Sequence, residues 1–122
     1  MNILIADDEL RLRKVVAMFL KKSGHDVTEV ADGSQALSAL RLKAFDVVVL
    51  DLMMPILNGL DTCIAIKSNP EYKDIPILLL TASVSSEERA KGIAAGASAY
   101  VTKPFSPKDL LERITELTSK LV

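Results

Sequence analysis

Four short runs in this chain each end abruptly in residues that carry chemistry. Ile3-Leu4-Ile5-Ala6 runs into Asp7-Asp8, Val47-Val48-Val49-Leu50 into Asp51, Ile77-Leu78-Leu79-Leu80 into Thr81, and Tyr100-Val101-Thr102 into Lys103-Pro104. The first three are apolar at every position rather than at alternate ones, which suits strands covered on both faces, as in a parallel sheet. Open parallel sheets bind ligands outside the carboxyl ends of their strands. If these strands lie side by side, three carboxylates, a hydroxyl and an ammonium converge on one edge.

The rest of the chain supplies what such a sheet needs. Strand signals fall near residues 2–6, 27–31, 46–50, 76–80 and 98–102, and helical periodicity fills every interval between them. Strands alternating with helices predict an α/β (βα)5 fold: a doubly wound, five-stranded parallel sheet with helices on both faces. The first helix, near Leu10 to Ser23, is expected to turn Leu12, Val15, Val16, Phe19 and Leu20 inward and to stop at Gly24. The second, near Ser34 to Lys43, presents Ala36, Leu37 and Leu40. A third is expected from Asn58-Gly59 to Asn69-Pro70, since proline cannot continue a helix interior. In the fourth, Ser85 and Glu88 match a capping box and Gly96 supplies the stop. Its inward stripe of Ala90, Ile93 and Ala94 is thin and it contains Gly92, so it is expected to be loosely held. The fifth has Ser106 as cap and Pro107 in its first turn, with Leu110, Leu111, Ile114, Leu117 and Leu121 along one face. One domain over residues 1–122, with no linker and no output domain, is the expected organisation.

Charge and composition exclude several functions. Fifteen basic and sixteen acidic residues leave a formal net charge of -1, without the basic excess of a phosphate-backbone binder, so no direct nucleic-acid binding is expected. No apolar stretch approaches the ~20 residues of a membrane span and no leader pattern opens the chain, so a cytoplasmic protein without membrane contact is expected. The lone Cys63 sits in a helical pattern facing the core and has neither a base nor a redox partner. His25, in a turn after Gly24, reads as an exposed surface residue.

At the carboxyl edge, the adjacent pair Asp7-Asp8 repels itself and Asp51. Hard oxygen donors crowded in this way suit a divalent cation, and Mg2+ above all, because it accepts one or two carboxylates and completes its shell with water and phosphate oxygens. Taken alone, Asp7-Asp8-Glu9 reads as a helix cap, Asp51 as a turn residue before Pro55, Thr81 as a cap and Lys103 as a surface charge. None of these readings explains why all of them fall at strand ends. A carboxylate can attack phosphorus to form an acyl phosphate, provided that a cation, an ammonium and a hydroxyl or amide stabilise the equatorial oxygens. Lys103 and Thr81 are placed for those roles.

The ordered set Asp-Asp, Asp-x-x-x-Pro, Thr-Ala and Lys-Pro-Phe at successive strand ends resembles the receiver domain of bacterial two-component response regulators, over essentially the whole chain. The resemblance implies a flavodoxin-like strand order 2-1-3-4-5, which sets Asp7-Asp8 beside Asp51. It implies Asp51 as phosphoacceptor, and Mg2+ (with Mn2+ as substitute) held by Asp8, Asp51 and the Met53 backbone carbonyl, with Asp7 contributing directly or through water. Lys103 would contact the phosphoryl group, Thr81 would reorient towards it, Tyr100 would turn inward as the coupled aromatic, and the Lys103-Pro104 bond would be cis. The implied partners are a histidine kinase or histidine phosphotransfer protein and a downstream protein target or covalently linked output domain. The implied state is a monomer or a weak phosphorylation-dependent dimer.

Two departures from the family pattern stand out: Asn58 stands where an acidic residue is common, which is expected to alter a helix cap. Met53 and Ser83 stand where some relatives orient a hydrolytic water. The switch would act through helix four, strand five and helix five. Such a domain is not an enzyme acting on a free substrate, since it catalyses only its own modification. An aspartyl phosphatase would need an acid-base aspartate two residues beyond the nucleophile, where Met53 stands, and a flavodoxin-type flavin module would need a hydroxyl-rich loop in place of Asp7-Asp8-Glu9.

Overall fold

The computed structural model describes residues 1–82 and 85–119. Five strands, β1 (Asn2–Ala6), β2 (Asp26–Val30), β3 (Val47–Asp51), β4 (Ile77–Thr81) and β5 (Ala99–Thr102), alternate with five helices. The helices are α1 (Leu10–Lys22), α2 (Gly33–Leu42), α3 (Gly59–Lys67), α4 (Ser86–Ala94) and α5 (Pro107–Ser119). All neighbouring strands are parallel and the order is β2-β1-β3-β4-β5. The doubly wound sheet read from the periodicity is therefore the observed one, with the strand order that the resemblance implied.

Every residue of β3 and β4 is buried, which explains why these strands read as continuous apolar runs. Their alternate residues divide between two cores, because successive side chains of a strand point to opposite faces. On one side Ile3, Ile5, Val47, Val49, Leu78, Leu80 and Val101 pack with Val16, Ala17 and Leu20 of α1 and Leu110 and Ile114 of α5. On the other, Leu4, Ala6, Val48, Leu50, Ile77 and Leu79 pack with Ala36 and Leu40 of α2 and Cys63 and Ile66 of α3. Each large aliphatic side chain fully removed from water contributes about 1.5–3 kcal/mol.

Caps fall where the sequence signals them. Asn58 Oδ1 accepts the Asp61 N–H at 2.8 Å, Ser85 Oγ the Glu88 N–H at 3.2 Å and Ser106 Oγ the Asp109 N–H at 3.1 Å. Asp32, not anticipated as a cap, accepts the Gln35 N–H at 2.9 Å and opens α2. Gly24 and Gly96 take positive φ after α1 and α4, as helix stops do.

Three readings need correction. In α1 the buried face is Val16, Ala17 and Leu20, while Val15 is exposed, because the stripe is centred one position further round the helix than Val15 permits. In α4 the expected inward stripe is on the outside: Ala90, Ile93 and Ala94 are exposed and Gly92 is the buried residue of the helix. Gly92 is thus the point of closest approach; a Cβ there would lie 1.7 Å from the Tyr100 hydroxyl. His25 is half-buried, with its Nδ1 3.0 Å from the amino group of Met1, and burial followed by that charge holds its pKa below the usual value. Cys63 is fully buried as expected, its thiol donating to the Ala95 carbonyl at 3.5 Å, and burial pushes it up to about 11. Leu121 of the expected α5 face and Ser83 lie outside the described residues.

The loop between β3 and α3 is drawn tightly back on the strand it leaves. Gly59 donates to the Leu52 carbonyl at 3.1 Å, and Gly33 of α2 donates to the Leu57 carbonyl at 3.1 Å. Within this clamp Leu57 donates to the Pro55 carbonyl at 2.7 Å, closing a γ-turn about Ile56 at φ 68°. A β-branched residue at positive φ costs about 1–3 kcal/mol. A Cβ on Gly59 would stand 2.2 Å from the Asp51 carbonyl oxygen, a backbone atom that cannot yield cheaply. Gly59→Ala is expected to lose about 1–3 kcal/mol of stability or more, read as the shift in a urea unfolding midpoint at unchanged slope.

Candidate phosphoacceptor site

Asp51 is the last residue of β3 and is almost fully buried. Its Oδ1 accepts the Met53 N–H at 3.2 Å and its Oδ2 accepts from Lys103 Nζ at 2.9 Å. Lys103 follows β5, two strands away, and is aligned by its own N–H, which donates to the Thr81 carbonyl at 2.7 Å. The peptide bond after it, to Pro104, is cis, as the resemblance implied. Burial alone would lower the Lys103 pKa, but the Asp51 hydrogen bond, the Asp51 charge and those of Asp7 and Glu9 outweigh it and raise it.

Asp7 follows β1 and is wholly buried. Its N–H donates to the Val30 carbonyl at 3.1 Å, and its carbonyl accepts from Arg13 at 2.7 Å, so the turn out of β1 is held from both sides. One carboxylate oxygen, Oδ1, accepts the Glu9 N–H at 2.9 Å. The other, Oδ2, is buried without a hydrogen-bond partner; the nearest cation, Lys103, stands 3.7 Å away. Burial is the main cause that lifts the Asp7 pKa; the Glu9 amide opposes it, the Asp51 carboxylate adds to it, and the result is about 6.

The helix-cap reading of this cluster fails. Residue Glu9 occupies the N-cap of α1 with no side-chain hydrogen bond to the helix, and the Asp7 contact is to Glu9 itself. What the structure does bring together are carboxylate oxygens of Asp7, Asp8 and Asp51, all within 4.8 Å of one another, with Asp8 exposed to solvent. A buried, unpartnered carboxylate oxygen inside an all-oxygen donor set fits a hard divalent cation. These three residues could hold one.

Thr81 ends β4 and is buried, and Tyr100 lies in β5 opposite Leu79. By strand alternation both belong to the α3 and α4 side of the sheet, whereas Asp51 continues the α1 and α5 side. Thr81 lines a cleft with Leu52, Met53, Leu60, Glu88 and Lys91. The Tyr100 hydroxyl donates to the Arg89 carbonyl at 2.7 Å and lies 3.2 Å from that of Glu88, so the ring spans from β5 to α4. Met53, two residues after Asp51, is 80% exposed. Glu9, 3.9 Å from Lys103, is a member of the site that the sequence reading did not single out, although it directly follows the aspartate pair.

Residues 3–115 match the response regulator receiver domain family. The chain belongs to that family: it is a receiver domain of two-component response regulators, the phosphoacceptor switch of those systems. Over 116 residues, 95% of its length, it is 42% identical to the probable transcriptional regulatory protein TcrX of Mycobacterium tuberculosis, covering 49% of that protein. It spans about half the length of the curated relatives it matches. Its fold is similar to that of the chemotaxis response regulator CheY4 of Vibrio cholerae, with a TM-score of 0.90, 34% identity and coverage of 95% of this chain and 97% of that one. It is also similar to the receiver domain of the sensor histidine kinase PA1611 of Pseudomonas aeruginosa PAO1, solved with a magnesium ion coordinated in the active site cleft, with a TM-score of 0.88, 28% identity and coverage of 97% of each chain.

Because the folded-state pKa of Asp7 lies above that of an ordinary carboxylate, the folded protein holds the proton more tightly than the unfolded one. The contribution of Asp7 to metal-free stability is therefore greatest below about pH 4, falls as pH rises through the window from about 4 to about 6, and stays reduced above it, by on the order of 3 kcal/mol. Asp7→Asn is expected to be more stable than wild type without metal at pH 7, by about 1–2 kcal/mol, with the difference vanishing near pH 4. Thermal unfolding in chelator across that range checks both the sign and the window.

Proposed function

We propose that Asp51 accepts a phosphoryl group from a phosphohistidine on a histidine kinase or histidine phosphotransfer protein. The observation that carries this reading is the Lys103 ammonium set 2.9 Å from the Asp51 carboxylate beside the unpartnered oxygen of Asp7. A carboxylate oxygen of Asp51 attacks phosphorus, the P–N bond of the donor breaks, and the departing imidazole keeps the electron pair and takes a proton from water. Lys103 transfers its hydrogen bond from the carboxylate to a phosphoryl oxygen. Thr81 supplies a hydroxyl to another, and backbone N–H groups of the loop after β3 serve the same end. Asp7, Asp8, Asp51 and the Met53 carbonyl would hold Mg2+, or Mn2+ in its place, which would supply charge neutralisation for the phosphoryl oxygens. The coordinated magnesium of the PA1611 receiver supports this assignment.

No free substrate is turned over, so the domain is a switch and not an enzyme in the ordinary sense. The movement of Thr81 towards the phosphoryl group opens space beside Tyr100, whose ring leaves α4 and turns inward. The readout is the surface of α4, β5 and α5. The α4 helix is suited to this role because its buried anchor is Gly92 rather than a row of aliphatic side chains. A charge-assisted hydrogen bond contributes about 1.5–3 kcal/mol, so the two states lie within a few kcal/mol of each other. The target is a separate protein or an output domain joined to the receiver; the transcriptional regulator TcrX, about twice as long as the matched region, supports the second form. Among the described residues no helix is long and apolar enough to cross a membrane.

Acetyl phosphate with Mg2+ is expected to add one phosphoryl mass to the wild-type chain and none to Asp51→Asn, with Lys103→Ala slower than wild type. Equal labelling of Asp51→Asn would overturn the assignment. Mg2+ at a hundredfold excess over its dissociation constant is expected to stabilise the folded domain by about 2.7 kcal/mol, an effect that Asp8→Ala weakens. In wild type, amide NMR shifts on adding beryllofluoride should reach from Asp51 into α4 and β5, and Thr81→Ala should shorten that reach while preserving phosphorylation.

A further inference from the structure

We propose that Ile56 is a docking residue for the protein that phosphorylates Asp51, kept at a strained backbone position for the sake of its side chain; the inference rests on the phosphoacceptor reading above. Ile56 sits at positive φ in the γ-turn of the loop after β3, and its side chain is 83% exposed. The turn itself is dictated by its surroundings. Gly33 and Gly59 pin the loop on both flanks through their hydrogen bonds to Leu57 and Leu52, and the left-handed residue must then fall at position 56. Glycine or asparagine would fill that position with less strain. A β-branched aliphatic residue there is unfavourable for the backbone, and its exposed side chain takes little from the core to offset this. Strain of this kind persists where the side chain serves another purpose.

The position of the loop says what that purpose is. It leaves β3 at Asp51 and returns to it, since Gly59 packs directly on the Asp51 carbonyl. Ile56, three residues before Gly59, lies at most roughly 10 Å from it at full extension of the chain and therefore within roughly 14 Å of the Asp51 backbone. A phosphohistidine must come within bonding distance of the Asp51 carboxylate, so the donor protein necessarily covers the rim of the site. A standard interface buries about 800 Å² per partner, and a patch of that area centred on Asp51 has a radius of roughly 16 Å and includes Ile56. Alongside it the exposed Met53 gives the rim a second apolar side chain. The partner surface that fits is correspondingly apolar next to its phosphohistidine. Small phosphodonors, which touch only the reacting groups, do not reach Ile56.

The test compares wild type, Ile56→Gly, Ile56→Asn and Ile56→Leu with two donors. One is acetyl phosphate; the other is the histidine kinase, from a panel of autophosphorylated kinases of the source organism, that transfers fastest to the wild-type chain. Expected are thermal midpoints of Ile56→Gly and Ile56→Asn at or above wild type, and labelling by acetyl phosphate within twofold. Transfer from the kinase should be at least fivefold slower for both, chiefly through KM, while Ile56→Leu, which keeps an aliphatic side chain, stays within twofold of wild type. Kinase transfer to Ile56→Gly and Ile56→Asn at the wild-type rate would overturn the proposal. So would a panel in which no kinase transfers while acetyl phosphate labels Asp51, or a loss shared equally by both donors, which would assign Ile56 to loop shape alone. Failure of acetyl phosphate to label wild type is a different result, since it strikes the phosphoacceptor reading itself.

Discussion

The contact between Lys103 and Asp51 spans two strands that are not neighbours. β3 and β5 are separated by β4, and the ammonium reaches across the end of β4 to a carboxylate 2.9 Å away. That reach is possible because Lys103 is tied by its own amide to Thr81 at the end of the intervening strand. Without the cation, Asp51 would keep only the Met53 amide against the buried carboxylate of Asp7 and the exposed one of Asp8. Two carboxylates at such range cannot both ionise cheaply in a low-dielectric site, and the Asp51 carboxylate adds to the burial that is the main cause of the rise of the Asp7 pKa to about 6. The site is held ready for positive charge and for a group that brings its own oxygens.

Strand alternation then divides the labour. Asp51 continues the face of the sheet covered by α1 and α5, while Thr81 and Tyr100 continue the face covered by α3 and α4. Under the proposed function, a change at the carboxylate would have to pass around the strand ends to reach the opposite layer. In that layer α4 has Gly92 as its buried residue and is held at Arg89 by a Tyr100 hydrogen bond of 2.7 Å. An element anchored so lightly can have two positions of similar free energy, which a switch requires. The cores on either side, built from fully buried aliphatic side chains, have no such freedom.

Much of this was legible in the residues themselves. Uninterrupted apolar runs such as Val47 to Leu50 can only be strands covered on both faces, and the polar residue ending each run had to emerge at the same edge once the strands were parallel. That places Asp7, Asp8, Asp51 and Lys103 on one edge, while the strand order that sets Asp7-Asp8 beside Asp51 came from the family resemblance; Asn58, Ser85 and Ser106 announced their helices because a side-chain oxygen before a helix satisfies amides that nothing else reaches. Periodicity failed where a contact is made by the absence of a side chain. The stripe of Ala90, Ile93 and Ala94 pointed to the wrong face of α4 because a hydrophobic pattern cannot register that Gly92 admits an aromatic ring. Val15 misled for a related reason: spacing locates a stripe, and packing locates its centre.

The sequence by itself determined the fold class, the edge at which the chemistry collects and the chemical character of that edge, since these depend on local patterns and on the period of the strand. Only the tertiary structure decided which carboxylate is wholly buried with an unpartnered oxygen, that Glu9 stands beside Lys103, and that Ile56 is held at positive φ by glycines from two different elements. Such features arise where segments distant in sequence press against one another. Burial, electrostatic coupling and backbone strain are properties of those juxtapositions, and no single stretch of residues carries them.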